Sequence, residues 1–445
     1  MSAATLRRGK RAKTKKRSRP LPAEYNLLLT ATLCLLALGA VMVFSASSTT
    51  RVLQDGGLSD SAFYLKRTLL FGAIGLLIMH FVARHGLQLV REATPVILGG
   101  SIFLLLAVLV AGTEVNGATR WLGSGFLQVQ PSELAKVALV LYAADLLARK
   151  PKRVRSLEGM MPLLLVIGAS ALLIMLQPDM GTTMTIVFAV GATLIAAGAR
   201  PVDLGKIALV IGGLALAMAV IEPYRMARLT AFLNPGADAA GAGFQAAQAK
   251  IALGSGGIFG EGIGNGVQKA FYLPEAHTDM ISAVIGEELG LIGILGVVGL
   301  FGMFGYAGLK TAQKAKDKYS KILVTGLTSL VLVQAIINLF AVMGMAPLTG
   351  VPLPFVSYGN SSLMAMLFAV GLILNVARGG TAKAARTATP SGAGKLRVVQ
   401  GGRAPAREQQ RKRASGARKA KSGGSGGGNR GARRTRHGGR RRASG

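Results

Sequence analysis

The chain has 445 residues, of which 51% are hydrophobic and 16% charged, and its formal net charge at pH 7 is +33. The charged residues are crowded into a few places, whereas a soluble globular domain spreads them over its surface. The net charge would fit a nucleic-acid partner, but the basic residues concentrate at the two ends of the chain, so we expect no nucleic-acid ligand and predict basic tails on a membrane protein.

The first 25 residues form a basic tail, with nine Lys or Arg and no acid through Arg19. The apolar run over 26–48 is too long for the hydrophobic region of a signal peptide and shows no clear cleavage pattern. We therefore predict a retained first helix. It contains the single cysteine, Cys34, which excludes a disulfide framework or a thiolate metal site within one chain.

Uncharged runs near the roughly 20 residues that cross a hydrocarbon core about 30 Å thick recur along the chain. They predict an all-α polytopic membrane protein with about ten transmembrane helices in a membrane domain over 26–376. A large outer loop, 222–280, is expected between helices 7 and 8. The predicted helices are 26–47, 68–83, 94–112, 132–148, 162–177, 183–198, 206–221, 281–308, 322–345 and 355–376.

Lys and Arg crowd alternate loops, over 149–155 and 310–321, whereas the loops 177–182 and 345–354 contain neither residue. Short cytoplasmic loops carry such an excess of basic residues. The pattern predicts a multi-pass protein of the cytoplasmic (inner) membrane with both termini in the cytoplasm.

The segment 377–445 is rich in Gly, Ala, Arg and Lys, and from Arg378 onward it carries twenty basic residues against one Glu. With almost no apolar residues to bury, it is predicted to be a disordered cytoplasmic tail. It would be a solvated tail drawn to anionic membrane lipids, or else a segment that docks on a protein or a nucleic acid.

Ionisable groups near apolar spans are expensive, so each is a functional candidate. Arg120 and Trp121 precede the segment that contains Glu133 and Lys136. The last two residues are three apart and can share one helix face, where they form either a structural ion pair or a substrate contact.

Two further candidates follow along the chain. Asp179 stands just before a predicted helix and either caps it or serves the site. Arg225 and Arg228 are three apart at the start of the outer loop, where they fit a clamp for pyrophosphate or snorkelling at the membrane interface.

The glycine-rich stretch 254–290 carries Lys269, Glu275, His277 and Asp279 just before an apolar helix. Glycines permit a close approach of backbone to a bulky ligand. A desolvated acid beside a cation has the tunable pKa that a general base needs. Capping of the next helix by Glu275, Thr278 and Asp279 is the equally weighted alternative.

The last outer loop, 352–362, is rich in hydroxyl groups and includes Ser357 and Ser361. These hydroxyls would bind sugar or phosphate, or would satisfy backbone groups at a broken helix. The four His residues show no metal-ligand spacing.

Four motifs occur in a fixed order along the membrane region, and together they closely resemble the SEDS family (shape, elongation, division and sporulation). The wording YLPEAHTD resembles the cell-division branch more than the elongation branch. The motifs are RWL with QPSELAK (120–136), LQPDMGTT (176–183), GIGNGVQKAFYLPEAHTD with GEELGLIG (262–293), and PLPFVSYGNSS (352–362).

The resemblance implies a peptidoglycan glycosyltransferase that polymerises lipid II at the outer membrane face during septal wall synthesis. Asp279 would be the catalytic base, and undecaprenyl pyrophosphate the leaving product. The expected substrate-binding residues are Arg120, Trp121, Lys136, Arg225, Arg228, Lys269, Glu275, His277, Ser357 and Ser361, with Arg228 and Lys269 preferred for the pyrophosphate.

The resemblance also implies partners: a class B penicillin-binding protein as transpeptidase, other divisome proteins, and membrane lipids. No protein ligands for a metal are predicted, although a divalent cation, Mg²⁺ or Mn²⁺, would suit the pyrophosphate. A lipid II flippase and a non-catalytic divisome scaffold are the alternative functions.

The chain departs from the family pattern at two motif positions. Met280 stands where Phe is expected, and Asn360 replaces a usual Gly. Neither change removes a polar catalytic group, so they bear on the shape of the substrate pocket.

Overall fold

The structure is a computed structural model that describes residues 21–54, 61–115, 118–123, 125, 128–221, 223–234, 243–270 and 272–382. Most of the basic N-terminal tail and nearly all of the C-terminal tail lie outside these residues. The predicted disorder of 377–445 and the cytoplasmic position of both tails therefore stay predictions.

The described residues are mainly helical, which confirms the predicted all-α class, with one short antiparallel hairpin as the exception. A single 3₁₀ turn, Arg153–Arg155, precedes the fourth helix. The elements are α1 Ala23–Gln54, α2 Phe63–Ala111, β1 Thr113–Val115, β2 Ala118–Trp121, α3 Pro131–Arg149, α4 Leu157–Met175, α5 Met180–Ala197, α6 Pro201–Ile221, α7 Pro223–Leu233, α8 Phe244–Ser255, α9 Ile281–Lys314, α10 Lys318–Val342 and α11 Asn360–Ala377.

Three helices begin at a side-chain cap that follows from the local sequence. The side chain of Ser156 accepts a hydrogen bond from a backbone amide in the first turn of α4. Asp179 does the same for α5, and Asp317 for α10. Each oxygen satisfies an N–H that has no partner within the helix. Capping by Asp179 is thus confirmed.

The helix α2 is where the predicted boundaries differ most from the structure. The predicted helices 68–83 and 94–112 are parts of this one 49-residue helix. Its contacts show that it doubles back: Tyr64 near its start packs against the loop before α11, whereas Arg91 in its middle pairs with Asp145 near the end of α3. Near the end of α2, the carbonyl of Leu105 accepts a hydrogen bond from the side chain of Gln177, which lies at the end of the bundle where α3 starts.

Seven helices among the described residues are long and apolar enough to cross a membrane: α1, α2, α4, α5, α9, α10 and α11. Counting the two arms of α2 separately gives eight. The helix α3 is about 28 Å long but carries four charged residues, and α6 has 21 residues. With these two, the bundle has ten crossings, which is the predicted number.

The interior of the bundle is formed by α3, α10 and α11, which are the most buried helices, while α4 and α6 present many apolar side chains outward. We call the end of the bundle that carries Arg149, Lys314 and Lys318 the basic end. The opposite end, where α3 and α11 begin, is the Asp279 end.

The segment 222–280, predicted as one loop, contains the helices α7 and α8. Its glycine-rich part packs against α9, where Glu261 and Gly262 donate backbone hydrogen bonds to the carbonyls of Glu287 and Glu288. This close packing of the loop against α9 requires a glycine at position 290. Gly290 has a φ of +64°, which breaks α9, and a Cβ added there would overlap the backbone of the loop.

Candidate active site

Asp279 lies in the turn that leads into α9 and is partly buried. Glu275, with a φ of +55°, begins this turn, and its carbonyl accepts the backbone amides of Thr278 and Met280. The Thr278 hydroxyl lies 2.8 Å from a Glu275 carboxylate oxygen and 3.2 Å from Asp279 Oδ1.

The helix α9 does not use this carboxylate as a cap. Its first position is preceded by Met280, and no side chain makes a capping hydrogen bond there. Within the described residues, capping of α9 by Glu275, Thr278 and Asp279 is therefore wrong, whereas their favourable interaction with the helix dipole stays an alternative.

A buried amide in α10 holds the backbone of Asp279. The Asn338 Nδ2 group donates to the Asp279 carbonyl and to the Val351 carbonyl, both at 2.8 Å, while its Oδ1 accepts from Ser282. One side chain thus ties together the start of α9, α10 and the loop before α11. This fixes where the carboxylate can point.

The surroundings of Asp279 raise its pKa from 3.8 to about 6. Burial is the largest cause because it removes water from the charged form, and the negative charge of Glu275 adds to it. Hydrogen bonds from the Asp279 backbone and from Thr278 act in the opposite direction, as does the positive charge of Arg228. The result is a carboxylate that is ionised at neutral pH but is a stronger base than an exposed Asp.

Arg228 is the cation that acts on Asp279 from the outer segment. It lies on α7, and its Nη1 donates to the Leu348 carbonyl at 2.7 Å. On the same loop, Gly350 has a φ of +70°, and a Cβ built there would lie 3.7 Å from Asp279 Oδ2. The loop thus leaves open space beside the carboxylate.

His277 sits on the other side of the same turn in an aromatic cluster. Its ring centroid lies 4.4 Å from that of Tyr64 and 5.5 Å from that of Tyr358, whose backbone amide donates to the His277 carbonyl. The guanidinium of Arg67, on α2, lies 6.0 Å from the Tyr358 ring. Aromatic and cationic groups therefore meet next to the acid.

Lys136 and Glu133 form the ion pair that their spacing allowed. The Lys136 ammonium lies 2.8 Å from Glu133 Oε1 and 2.7 Å from the Gln334 amide oxygen, and both charged side chains are buried. These contacts favour the structural alternative, and direct contact of Lys136 with substrate stays a prediction.

Lys269, a preferred pyrophosphate contact, also lies in a buried ion pair. Its ammonium is 2.5 Å from Glu288 Oε1 and 2.9 Å from Ser45 Oγ, and only 2% of Lys269 is exposed. Beside it, Glu287 accepts the backbone amides of Val267 and Gln268. The adjacent acids of α9 hold the glycine-rich loop, so the contacts of Lys269 point to a structural role.

Arg120 and Trp121 lie in β2 and are partly exposed. The Arg120 guanidinium donates to the carbonyls of Gln177 and Pro178, which places the hairpin over the start of α5. Asp179 in turn accepts from Ser132, so this corner joins β2, α3 and α5.

The two serines of the last loop serve the backbone. The Ser357 hydroxyl accepts the Leu353 amide at 2.7 Å, and that of Ser361 accepts the Gln130 amide at 3.0 Å. These contacts match the alternative in which hydroxyls satisfy a broken helix, since α11 begins at Asn360 and not at 355 as predicted.

The structure therefore brings Asp279, Glu275, His277 and Arg228 together and places Lys136 and Lys269 in ion pairs. The side chain of Arg225 lies outside the described residues. Across the described ranges, no three His, Cys, Asp or Glu side chains meet in a way that could hold a metal ion.

Sequence reasoning missed three residues of this region: Asn338, Tyr64 and Arg67. Asn338 had a usable signal, because a polar side chain in the middle of an apolar span is costly and seldom without purpose. Arg67 had the signal of an ionisable group beside an apolar span, but nothing linked it to Asp279, and Tyr64 had none, since both lie more than 200 positions before Asp279 in the chain.

Known proteins share this fold and sequence. The family model of FtsW, RodA and SpoVE, described as cell cycle protein, matches residues 25–381. A probable peptidoglycan glycosyltransferase FtsW of Trichlorobacter lovleyi is 40% identical over 361 residues, which cover 80% of this chain and 94% of the relative. The stage V sporulation protein E of Bacillus subtilis is 39% identical over 355 residues, or 79% and 96% of the two chains.

Two solved structures show the same likeness. One chain belongs to a peptidoglycan synthase complex that coordinates polymerization and crosslinking, with a TM-score of 0.64, 28% identity, and coverage of 79% of this chain and 97% of that chain. The other is the rod shape determining protein RodA of Thermus thermophilus, with a TM-score of 0.58, 28% identity, and coverage of 79% and 95%.

Proposed function

This chain belongs to the FtsW, RodA and SpoVE family of cell cycle proteins, and we propose that it is a peptidoglycan glycosyltransferase of the cell-division type. Its substrate is lipid II, the undecaprenyl-pyrophosphate-linked disaccharide pentapeptide, which it polymerises into glycan strands. The names of the curated relatives support the reaction, and the presence of a complete polar turn at Asp279 supports the presence of the activity in this chain.

The observation that carries the proposal is the environment of Asp279. Its carboxylate caps no described helix, and its pKa is raised to about 6. Its backbone carbonyl is held by a hydrogen bond from Asn338. A general base works best when its pKa lies near the working pH, because it is then both deprotonated and basic.

Asp279 removes the proton from the acceptor 4-hydroxyl. The acceptor oxygen forms a bond to the anomeric carbon of the donor chain, and the bond from that carbon to the pyrophosphate oxygen breaks. Undecaprenyl pyrophosphate leaves with the electron pair, and the proton stays on Asp279 until water removes it. One glycosidic bond is formed for each pyrophosphate released.

Arg228 is the cation best placed to stabilise the departing pyrophosphate. It acts on Asp279 electrostatically, and its hydrogen bond to the Leu348 carbonyl holds the guanidinium on the same side of the turn as the carboxylate. Arg225 precedes it by one helical turn. The His277 cluster, with Tyr64 and Tyr358, offers aromatic faces on which a sugar ring packs.

A class B penicillin-binding protein is the proposed partner. Support comes from the peptidoglycan synthase complex, in which polymerization is coordinated with crosslinking. We further propose that the basic end faces the cytoplasm, which puts Asp279 at the outer face where lipid II is used, and that the protein acts at the division septum with other divisome proteins.

The test is polymerisation of lipid II by the purified protein with its class B partner, comparing the wild type with Asp279→Asn. We expect the variant to lose at least 100-fold in rate, since base catalysis contributes roughly 10²–10⁴. Glu261→Gln is the matched control, because it removes an exposed carboxylate from the same segment.

The variant should fold at least as well as the wild type. Because the fold raises the pKa of Asp279 from 3.8 to about 6, its ionisation costs stability as the pH rises between these two values, and the full cost remains above pH 6. An amide avoids this cost. A folded Asp279→Asn protein that polymerises at the full rate would exclude Asp279 as the base. A wild type that moves labelled lipid II across liposomes without polymerising it would favour a flippase.

A further inference from the structure

A cavity of about 490 Å³ lies at the basic end, far along the bundle from Asp279. It is enclosed by the start of α1 and the ends of α9 and α11. Its volume falls within the roughly 300–1,000 Å³ of pockets that bind small ligands. The residues that line it are Leu21, Pro22, Glu24, Thr311, Lys314, Ala315, Lys316, Val376, Ala377, Arg378, Gly379 and Gly380.

The lining carries three cations and one carboxylate, which leaves a net charge of +2. Lys314 is paired with Glu24 at 2.5 Å. The Arg378 guanidinium lies 5.9 Å from the centroid of the Tyr25 ring, so it is directed toward α1. All three cations are exposed, and all three line the same cavity.

Two glycines line the cavity after α11. Gly379 has a φ of +90°, and a Cβ built on it would lie 3.6 Å from the Lys316 ammonium. A Cβ on Gly380 would overlap Asn375. The turn after α11 thus lets the Lys316 side chain lie against bare backbone.

Compensation of helix dipoles explains part of this arrangement, because cations stabilise the C-terminal ends of α9 and α11. It does not explain why the cations surround a cavity. The chain's own tails are poor occupants: residues 1–19 carry nine Lys or Arg and no acid, and 378–445 carry twenty against one Glu. Like charge opposes their entry, so the occupant is an anion from outside the chain.

The surface beside the cavity shows which kind of anion fits. On α9, Leu295, Val298 and Leu309 are exposed on one face, and Lys310 and Lys314 follow them toward the basic end of the helix. In a membrane such an apolar face contacts acyl chains, and the cations that follow it lie at the level of the headgroups. A molecule with acyl chains below and a phosphate above matches both surfaces.

We propose that this cavity is a binding site for the phosphate of an anionic glycerophospholipid. Lys316 and Arg378 contact the phosphate, and the acyl chains lie along α9. Lys314 also contacts the phosphate and gives up part of its ion pair with Glu24. Basic pockets between transmembrane helices bind such headgroups in this way. The site is independent of the proposed glycosyltransferase reaction.

The test measures lipid binding to the full-length protein by native mass spectrometry and by thermal unfolding in detergent, with added phosphatidylglycerol or phosphatidylcholine. We expect phosphatidylglycerol to stay bound and to raise the unfolding temperature, and phosphatidylcholine to do neither. In Lys316→Gln/Arg378→Gln its affinity should fall roughly 30-fold, as expected for two cations.

The control is Lys152→Gln/Lys321→Gln, which removes two exposed cations from the same end outside the cavity. Equal losses in both double variants would mean general charge attraction and would overturn the proposal. So would an equal effect of soluble glycerol 3-phosphate, which would make the ligand a free phosphate. If the first double variant fails to fold, Lys316→Gln alone replaces it, because Lys316 is exposed and its substitution should not disturb folding. This single variant must still lose part of the affinity.

Discussion

The raised pKa of Asp279 gives a pH dependence that can be worked out in advance. With a pKa of about 6, roughly 97% of the base is ionised at pH 7.5 but only about 9% at pH 5. The polymerisation rate should therefore fall about tenfold between these two values. An Asp with the ordinary pKa of 3.8 would still be about 94% ionised at pH 5, and the rate would be nearly flat.

Two substitutions should move this acid limb in opposite directions. Glu275→Gln removes the negative charge that raises the pKa, so the midpoint should shift to lower pH. Arg228→Gln removes the positive charge that lowers it, so the midpoint should shift to higher pH. The opposite signs separate an effect on Asp279 from a general loss of stability.

The assay is the initial rate of polymer formation between pH 5 and pH 8, at lipid II concentrations well below KM, for the wild type and both variants, because the rate then follows the ionisation of the free enzyme. Glu261→Gln should leave the midpoint unchanged. His277 lies in the same turn and its class of side chain titrates in this range, so the profile is repeated in His277→Gln. A flat wild-type profile, a common direction of shift in the two variants, or a limb that vanishes without His277 would refute the reasoning.

Two further predictions concern how the fold supports this site. Gly290→Ala should destabilise the protein by more than about 3 kcal/mol, because its positive φ and the overlapping loop backbone exclude a Cβ, whereas Gly299→Ala, which meets nothing, should be nearly neutral in thermal unfolding. Lys269→Met should cost about 3–5 kcal/mol by leaving Glu288 charged and buried, and Lys269→Met/Glu288→Met should recover most of it. If the double variant is stable but binds lipid II weakly, Lys269 contacts the substrate after all.

The apolar runs were sufficient to predict the number of crossings but not the shape of α2. Hydropathy reports where a chain can be buried in lipid, and the segment 84–93 is polar enough to read as a loop. Whether such a segment stays helical depends on what it meets, here the pairing of Arg91 with Asp145. That contact joins residues 54 positions apart, and no local pattern contains it.

The residues of the candidate site also differ in how well local sequence predicts their roles. Asp179 as a cap follows from its own sequence neighbourhood, since a cap needs only the next helical turn. The same local reasoning gave Asp279 an equal chance of capping α9. This prediction failed because the turn that begins at Glu275 places Met280, and not Asp279, directly before the helix. Lys269 looked available beside the acids of its loop, but its partner is Glu288, on the next helix.

The contrast between the buried acids at the Asp279 end explains why one of them is suited to chemistry. Glu133 and Glu288 each have a lysine within 2.8 Å, and Asp179 accepts hydrogen bonds from its own helix and from α3. Such fixed partners occupy oxygens of these carboxylates. Asp279 forms no ion pair with any described residue, and its strongest support reaches its backbone through Asn338. The fold therefore holds the backbone of this acid and leaves its carboxylate outside any ion pair with a described residue, as we expect of the proposed general base.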